Sequence, residues 1–254
     1  MRHPMDLSGR TILVSGASSG IGRETSVVLS ELGARLVLVG RRREELERTA
    51  GFLGDGEHRV EPFDLMNLDA IPAWLKGLSD AVGPMDDLVH SAGVHFTLPL
   101  RATTSQRFDD LMRINVAAAF ALTRGFRQQG VRRSDSTSSV VYLSSVMGLV
   151  GQTGISAYSA SKGALVSLAR SLALELAREG IRVNCVAPGV VKTEMAAGAE
   201  HVLTPEQYQA IEDLHPLGTG SARDVAYAIA FLLAETGRWI TGTTLVVDGG
   251  YTAH

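Results

Sequence analysis

The 254-residue sequence predicts an α/β fold in three layers, a parallel sheet with helices on both faces. Three features point to it. Short apolar runs rich in β-branched residues recur along the chain, and stretches of helical periodicity alternate with them. The first run leads into a glycine-rich turn that opens a helix, the arrangement of a phosphate-binding βα unit. No linker, repeat or shift in composition interrupts the alternation, so one domain spanning residues 1–254 is expected.

The elements follow in order. TILVS (Thr11–Ser15) reads as a buried strand, GASSGIG as a turn, and the next segment as a helix ending near Gly33. RLVLV (Arg35–Val39) is the second strand, followed by a charged helix from Arg43 onward. VEPF near Val60 is the third, with a helix around Trp74 and Leu75. DLVH (Asp87–His90) leads into SAG and a helix from Phe108 to Gln128. The polar stretch Arg132–Ser139 reads as an exposed loop, VVYL (Val140–Leu143) as a strand, and the segment carrying Tyr158 as a helix. IRVNCVAPG then forms a strand, and a helix from about Arg223 to Ala234 precedes a last strand at Thr244–Val247. Right-handed crossovers would join these strands in one sheet. Between Lys192 and Gly218 periodicity weakens, and an irregular insertion of this size reads as a substrate lid.

Composition narrows the function classes. With 45% hydrophobic residues, 20% charged and a net charge of −3, the chain has no basic excess directed at nucleic acid or an anionic membrane. The single cysteine, Cys185, allows no internal disulfide and no cysteine-based metal cluster, and its apolar surroundings suggest a buried thiol. No metal site is expected. The N-terminal residues lack a signal-peptide core, and no apolar run approaches the ~18 residues that span a bilayer, so a cytoplasmic protein is expected.

The stretch SAYSASKGALVSL (Ser156–Leu168) sets Tyr158 and Lys162 four residues apart, on one face of a helix. An ammonium within about 4–6 Å favours phenolate over phenol, lowering a pKa that is ordinarily near ~10. The same spacing also arises on surface helices that do nothing. Here small residues such as Ala157, Ser161 and Gly163 surround the pair and leave room for a ligand or a second helix.

In the first turn, Gly16, Gly20 and Gly22 let the backbone approach a ligand, and the helix that follows offers free amides to a phosphate. The spacing is GxxxGxG rather than GxGxxG. The second strand exits into Gly40, Arg41, Arg42 and Arg43, where a dinucleotide fold that binds NAD usually carries an acid. Guanidinium groups there suit a 2′-phosphate, which favours NADP(H), with NAD(H) as the alternative. Arg43 onward also reads as the solvated start of a helix.

In this order, the segments resemble the short-chain dehydrogenase/reductases over nearly the whole chain. SGASSGIG (Ser15–Gly22) is similar to that family's glycine motif, in which Gly16, Ser18, Ser19, Gly20, Ile21 and Gly22 would contact the cofactor. Asp64 and Leu65 in FDL match the adenine-contacting position, and Asn115 in RINV matches the active-site asparagine. Ser145 lies 13 residues before Tyr158, the family's interval, which selects it over Ser144. Pro188, Gly189, Val191 and Thr193 match the segment that contacts the nicotinamide, and ITGTTLVVDGG matches the C-terminal strand. The resemblance implies a Rossmann-like, doubly wound sheet of about seven parallel strands.

It also implies roles. Tyr158 would give a proton to the alkoxide that develops as hydride reaches a ketone carbon. Lys162 would lower the Tyr158 pKa and hydrogen-bond the nicotinamide ribose, Ser145 would donate to the substrate oxygen, and Asn115 would hold a water that links lysine to solvent. A homotetramer built through the catalytic helix, its neighbour and the last strand is implied as well.

Three departures from the family pattern bear on cofactor and substrate. HSAG stands where NNAG is common, so Ser91, Ala92 and Gly93 would make altered cofactor contacts. Ser19 occupies a position that is basic in some NADP-using members. The chain looks most like 3-oxoacyl-acyl-carrier-protein reductases, but Glu179 replaces one of the arginines that hold the acidic carrier. Arg178 lies beside it, and Arg124, Arg127, Arg132 and Arg133 form a second basic cluster, so acyl carrier protein is a candidate partner. The expected activity is NADPH-dependent reduction of a 3-oxoacyl thioester or similar ketone. An NAD(P)-dependent alcohol or sugar dehydrogenase is the alternative, and a catalytically silent nucleotide-binding scaffold is the alternative of another class.

Overall fold

The computed structural model describes residues 3–193 and 204–253. Strands β1 (Thr11–Ser15), β2 (Arg35–Gly40), β3 (Arg59–Pro62), β4 (Asp87–His90), β5 (Ser138–Leu143) and β6 (Ile181–Pro188) follow in chain order. A short pair, β7 (Val191–Lys192) and β8 (Gly220–Ser221), precedes β9 (Thr244–Val247). The main sheet has seven strands in the order β3-β2-β1-β4-β5-β6-β9, and every neighbouring pair is parallel. This is the Rossmann-like doubly wound sheet that the sequence predicts. The order reverses between β1 and β4, which opens a crevice beyond their C-terminal ends, where ligands bind in such sheets.

Helices α1 (Gly20–Glu31), α2 (Arg43–Ala50), α3 (Ile71–Val82), α4 (Ser105–Met112), α5 (Ala118–Phe126), α6 (Ser156–Leu176), α7 (Pro205–Asp213) and α8 (Ala222–Leu233) complete the described chain. Side chains alternate along each strand between two buried layers. Leu13, Leu88, Val140 and Tyr142 pack with Leu75, Leu122, Phe126 and Leu165 of α3, α5 and α6. Ile12, Val14, Val89 and Val141 pack on the other face with Leu29, Ile229 and Leu233 of α1 and α8. Burial on both faces explains why the strands read as unbroken apolar runs.

Two segments differ from the sequence reading. The helix expected from Phe108 to Gln128 starts at Ser105, because the Thr104 hydroxyl caps it by accepting from the Arg107 amide at 3.3 Å. It then widens into a π-helical turn at Arg113–Ala117 before continuing as α5. The loop expected over Arg132–Ser139 ends early, since Ser138 and Ser139 are buried in β5. The Ser139 amide donates to Asp87 Oδ1 (2.8 Å) and its hydroxyl to the Leu232 carbonyl (3.2 Å), so this serine is satisfied inside the fold where polarity suggested solvent. Of the expected lid, residues 194–203 lie outside the described residues; the remainder holds α7 and the segment leading to β8.

Candidate active site

The expected catalytic side chains converge at the C-terminal ends of β4 and β5. Ser145 lies two residues past the end of β5, and Tyr158 and Lys162 occupy successive turns of α6. A hydrogen bond joins Ser145 to the Tyr158 phenol. Lys162 Nζ lies 5.5 Å from the Tyr158 ring centroid and donates to the Leu143 carbonyl at 2.7 Å. The Ser144 hydroxyl, by contrast, donates to the Lys162 carbonyl at 2.9 Å and pins α6 to the end of β5. That contact separates the two serines: one faces the phenol, and the other holds the helix.

Burial governs both ionisable groups. It pushes the Lys162 ammonium down to about 8 and the Tyr158 phenol up to about 12, against the opposing Ser145 hydrogen bond. The expectation that Lys162 lowers the Tyr158 pKa is therefore not met in this geometry. The ammonium spends its charge on a carbonyl behind the ring, and desolvation of the phenolate dominates. At neutral pH both groups hold their protons.

Asn115 sits on the π-helical turn, fully buried. Its Oδ1 accepts from the Val94 amide (2.9 Å), and its Nδ2 donates to the Val94 carbonyl (3.0 Å) and to Ser161 Oγ (3.0 Å). The Ser161 hydroxyl donates in turn to the Tyr158 carbonyl at 2.8 Å. Asn115 thus ties the segment after β4 to the helix that carries Tyr158. π-turns recur at functional sites because the extra residue re-aims one side chain.

The βα turn after β1 is shaped for close approach. Gly16 has φ +74° and packs against the Ala92 backbone, and a Cβ on Gly22 would lie 2.2 Å from the Gly16 carbonyl oxygen. The amides of Gly16 and Ala17 donate to Val39 O, which folds the turn back on β2. Ser19 caps α1 without a side-chain bond, and the first turn of α1 carries no acid. The positive end of the helix lies beside Ser18, Ser19, Gly20, Ile21 and Gly22. Ser91 donates its amide to Ser15 O (3.1 Å), and Ala92 and Gly93 line the opposite wall, with Gly93 against the Asn115 and Lys162 side chains.

Beyond β2, Arg41 and Arg42 are both exposed, and neither is ion-paired among the described residues. Their neighbours are committed: Arg43 pairs with Glu47, Arg48 with Glu45, and Arg23 with Glu45. Asp64 follows β3 and caps its own turn by accepting from the Met66 amide, while the Leu65 side chain enters the core. At the end of β6, Pro188 and Gly189 lead to Val191 in β7 and Thr193 at the limit of the described segment. The glycine cradle and the acid-free helix end fit the phosphates of a dinucleotide.

The basic cluster is less available than the sequence suggests. Arg127 pairs with Glu179 at 2.6 Å and Arg133 with Asp86 at 2.8 Å, while Arg124 stays exposed. Cys185 is buried, as expected. Two contributors escaped the sequence reading. Arg23 reaches Ser18 O, Glu45 and Thr49 and braces the glycine turn against α2. The His95 ring stands edge-on to the Tyr158 ring, with centroids 4.7 Å apart. The adjacency of Arg23 to the glycine motif is a usable signal; His95 lies in a segment with no periodicity to place it.

A fold of this order, with a phosphate-binding turn at one end of the crevice and a serine, tyrosine and lysine at the other, defines a nicotinamide-dependent oxidoreductase. A family model described as enoyl-(acyl carrier protein) reductase matches residues 16–252. The chain belongs to the short-chain dehydrogenase/reductases, NAD(P)-dependent oxidoreductases acting on CH–OH and C=O groups. Among curated relatives, the 3-oxoacyl-[acyl-carrier-protein] reductase of Rickettsia prowazekii is 36% identical over 248 residues, covering 97% of this chain and 98% of that protein. The glucose 1-dehydrogenase of Gluconobacter oxydans is 35% identical over 259 residues, covering 97% and 93%. A solved structure from Agrobacterium tumefaciens with bound NADP, assigned as a 2-deoxy-D-gluconate 3-dehydrogenase, superposes with a TM-score of 0.88 at 28% identity over the full length of both chains.

Proposed function

We propose that this protein is an NADPH-dependent reductase that converts a ketone, a 3-oxoacyl thioester or a similar carbonyl, to the alcohol. The observation that carries the reading is the convergence of two hydroxyls, Tyr158 and Ser145, at the crevice, with the Lys162 ammonium 5.5 Å from the Tyr158 ring centroid. Two hydroxyls at one point suit the oxygen of a carbonyl, which gains negative charge and then a proton as the carbon is reduced. The nicotinamide cofactor, when bound, supplies the hydride.

The protein's own residues supply position and charge. Ser145 and Tyr158 offer two hydroxyl donors to the substrate oxygen and stabilise it as negative charge develops there. Tyr158 then transfers its proton to that oxygen. Lys162, still an ammonium at pH 7, lies 5.5 Å from the Tyr158 ring centroid and anchors to the Leu143 carbonyl, which fixes a positive charge on that side of the site. Asn115 positions both sides of the site through Val94 and Ser161. The glycine turn, Asp64, Ser91 and the Pro188–Thr193 segment would hold the cofactor, with Arg41 and Arg42 at a 2′-phosphate. The insertion at about 192–218 would close over the substrate as a lid on one catalytic domain.

Tyr158→Phe should lower turnover of an active ketone by about 10²–10⁴-fold, the usual weight of a general acid, with NADPH affinity retained in a fluorescence titration. Unchanged turnover would defeat the mechanism. In the same titration, Arg41→Ala with Arg42→Ala should weaken NADPH about 10–100-fold and leave NADH unaffected. Tighter NADH than NADPH binding by the unaltered enzyme would overturn the cofactor reading.

A second reading, sugar or alcohol dehydrogenase, draws on the Arg127–Glu179 pair, which removes one arginine from the surface that would meet an acidic carrier. The sugar-acting names among relatives point the same way. We further infer a cytoplasmic homotetramer. No helix among the described residues is long and apolar enough to cross a membrane. Leu174 on α6 and Trp239 before β9 are 82% and 93% exposed, apolar surface that a partner copy would cover. A stable monomer in light scattering would count against the tetramer.

A further inference from the structure

His95 is held in place from both sides. The Asn115 side chain grips the amide and the carbonyl of Val94, and the Leu98 amide donates to the Gly154 carbonyl at 2.7 Å, which straps the segment to the chain entering α6. Between these anchors the His95 ring meets the Tyr158 ring at 89°, an edge-to-face contact that fixes the imidazole beside the proton donor. The ring is half-buried in the wall of the crevice.

The hydrogen-bonding capacity of this ring is unspent. The rings of His58, His90 and His215 each bond a neighbouring group of the protein, whereas neither nitrogen of His95 has such a bond among the described residues. Burial and the nearby Lys162 ammonium hold its pKa below the usual histidine value, so at pH 7 the ring is neutral and offers one donor and one acceptor. A half-buried polar group with no partner in the protein is suited to one in the ligand. The carbonyl oxygen of a substrate belongs against Ser145 and Tyr158. A ring on the flank of Tyr158 therefore meets the atoms next to that carbonyl rather than the carbonyl itself.

We propose that His95 is a specificity-determining residue that hydrogen-bonds a second oxygen of the substrate, one or two carbons from the reacting carbonyl, and so selects oxygenated ketones over plain ones. The class includes 3-oxo esters and thioesters as well as hydroxyketones. The inference rests on the reductase reading above.

Matched pairs test it: ethyl 3-oxobutanoate against 2-hexanone, and 2-hydroxycyclohexanone against cyclohexanone, each with NADPH. His95→Phe keeps a ring against Tyr158 and removes both nitrogens. It should lower kcat/KM for the oxygenated member of each pair by about 10–100-fold and for the plain member by less than about threefold. His95→Gln, which restores a donor and an acceptor, should recover part of the loss. NADPH affinity and Tm verify that both variants are folded. Equal losses on both members would mean that His95 only supports Tyr158, and no loss on either would mean that it touches nothing; each result overturns the proposal. If the unaltered enzyme binds NADPH but reduces no ketone of either kind, the reductase reading fails and takes this inference with it, a result distinct from a failure of selectivity alone.

Discussion

Lys162 shows how a single residue trades stability for chemistry. Its ammonium is buried behind Tyr158 with a carbonyl for a partner, and burial lowers its pKa from 10.5 to about 8. Because the folded state holds this proton less tightly than the unfolded chain, stability should rise with pH between about 8 and 10.5 and carry the cost of the charge below that window. Lys162→Met removes the charge and fills the same space. The variant should lose most of its activity yet melt at the same temperature as the parent or a few degrees higher near pH 7, as scanning calorimetry would show. A lower Tm would mean that the bond to Leu143 O matters more than desolvation. At this scale the sequence was informative about identity: Tyr158, Lys162, Ser145 and Asn115 were all named from spacing and resemblance. It was silent on ionisation, because a pKa depends on which groups the fold buries together.

At the scale of elements, the β1–α1 turn depends on two backbones passing within contact of each other. A methyl group on Gly22 would lie 2.2 Å from Gly16 O, a contact that only backbone displacement can relieve. Gly22→Ala should weaken NADPH binding by about tenfold or more and destabilise the protein by about 1–3 kcal/mol, measured by titration and by urea unfolding. Retention of both would show that the turn is more compliant than its packing suggests. The strand-turn-helix order was readable from the glycines. The π-turn that aims Asn115 was not, since a widened turn leaves no distinct mark in a helical pattern. The His95 segment was equally opaque: it has no period, and its place is set by Asn115, 20 residues further along the chain, and by Gly154.

Across the whole molecule, two buried groups outside the reaction oppose each other in their response to pH. His90, bonded to Ser15, is pushed from 6.5 down to about 3 by burial and by Lys162. Its folded pKa is depressed, so its contribution is present above 6.5 and lost as pH falls through that window. Asp87, paired with Arg10 at 2.7 Å, is pushed from 3.8 up to about 7 by burial. Its folded pKa is raised, so its contribution is present below 3.8 and lost as pH rises towards about 7. Between 3.8 and 6.5 the two slopes largely offset, and urea midpoints of the parent should vary little there. His90→Asn leaves Asp87 unopposed, and stability should then fall with rising pH by up to about 1.4 kcal/mol per unit. A flat profile in the variant would show that the Arg10 pair keeps Asp87 ionised.

The sequence by itself determined the alternation of strands and helices, the glycine-rich turn, the arginines beyond β2 and the candidates for the reacting side chains. These are local patterns, carried by periodicity, by glycine where backbones meet and by fixed spacing along one helix. Only the tertiary structure decided that Tyr158 is held protonated, that Asn115 is a clamp between two segments, that Arg127 is bound to Glu179, and that His95 faces the reacting phenol with its nitrogens uncommitted. Each depends on desolvation or on contact between residues far apart in the chain, and neither is written in the order of neighbours.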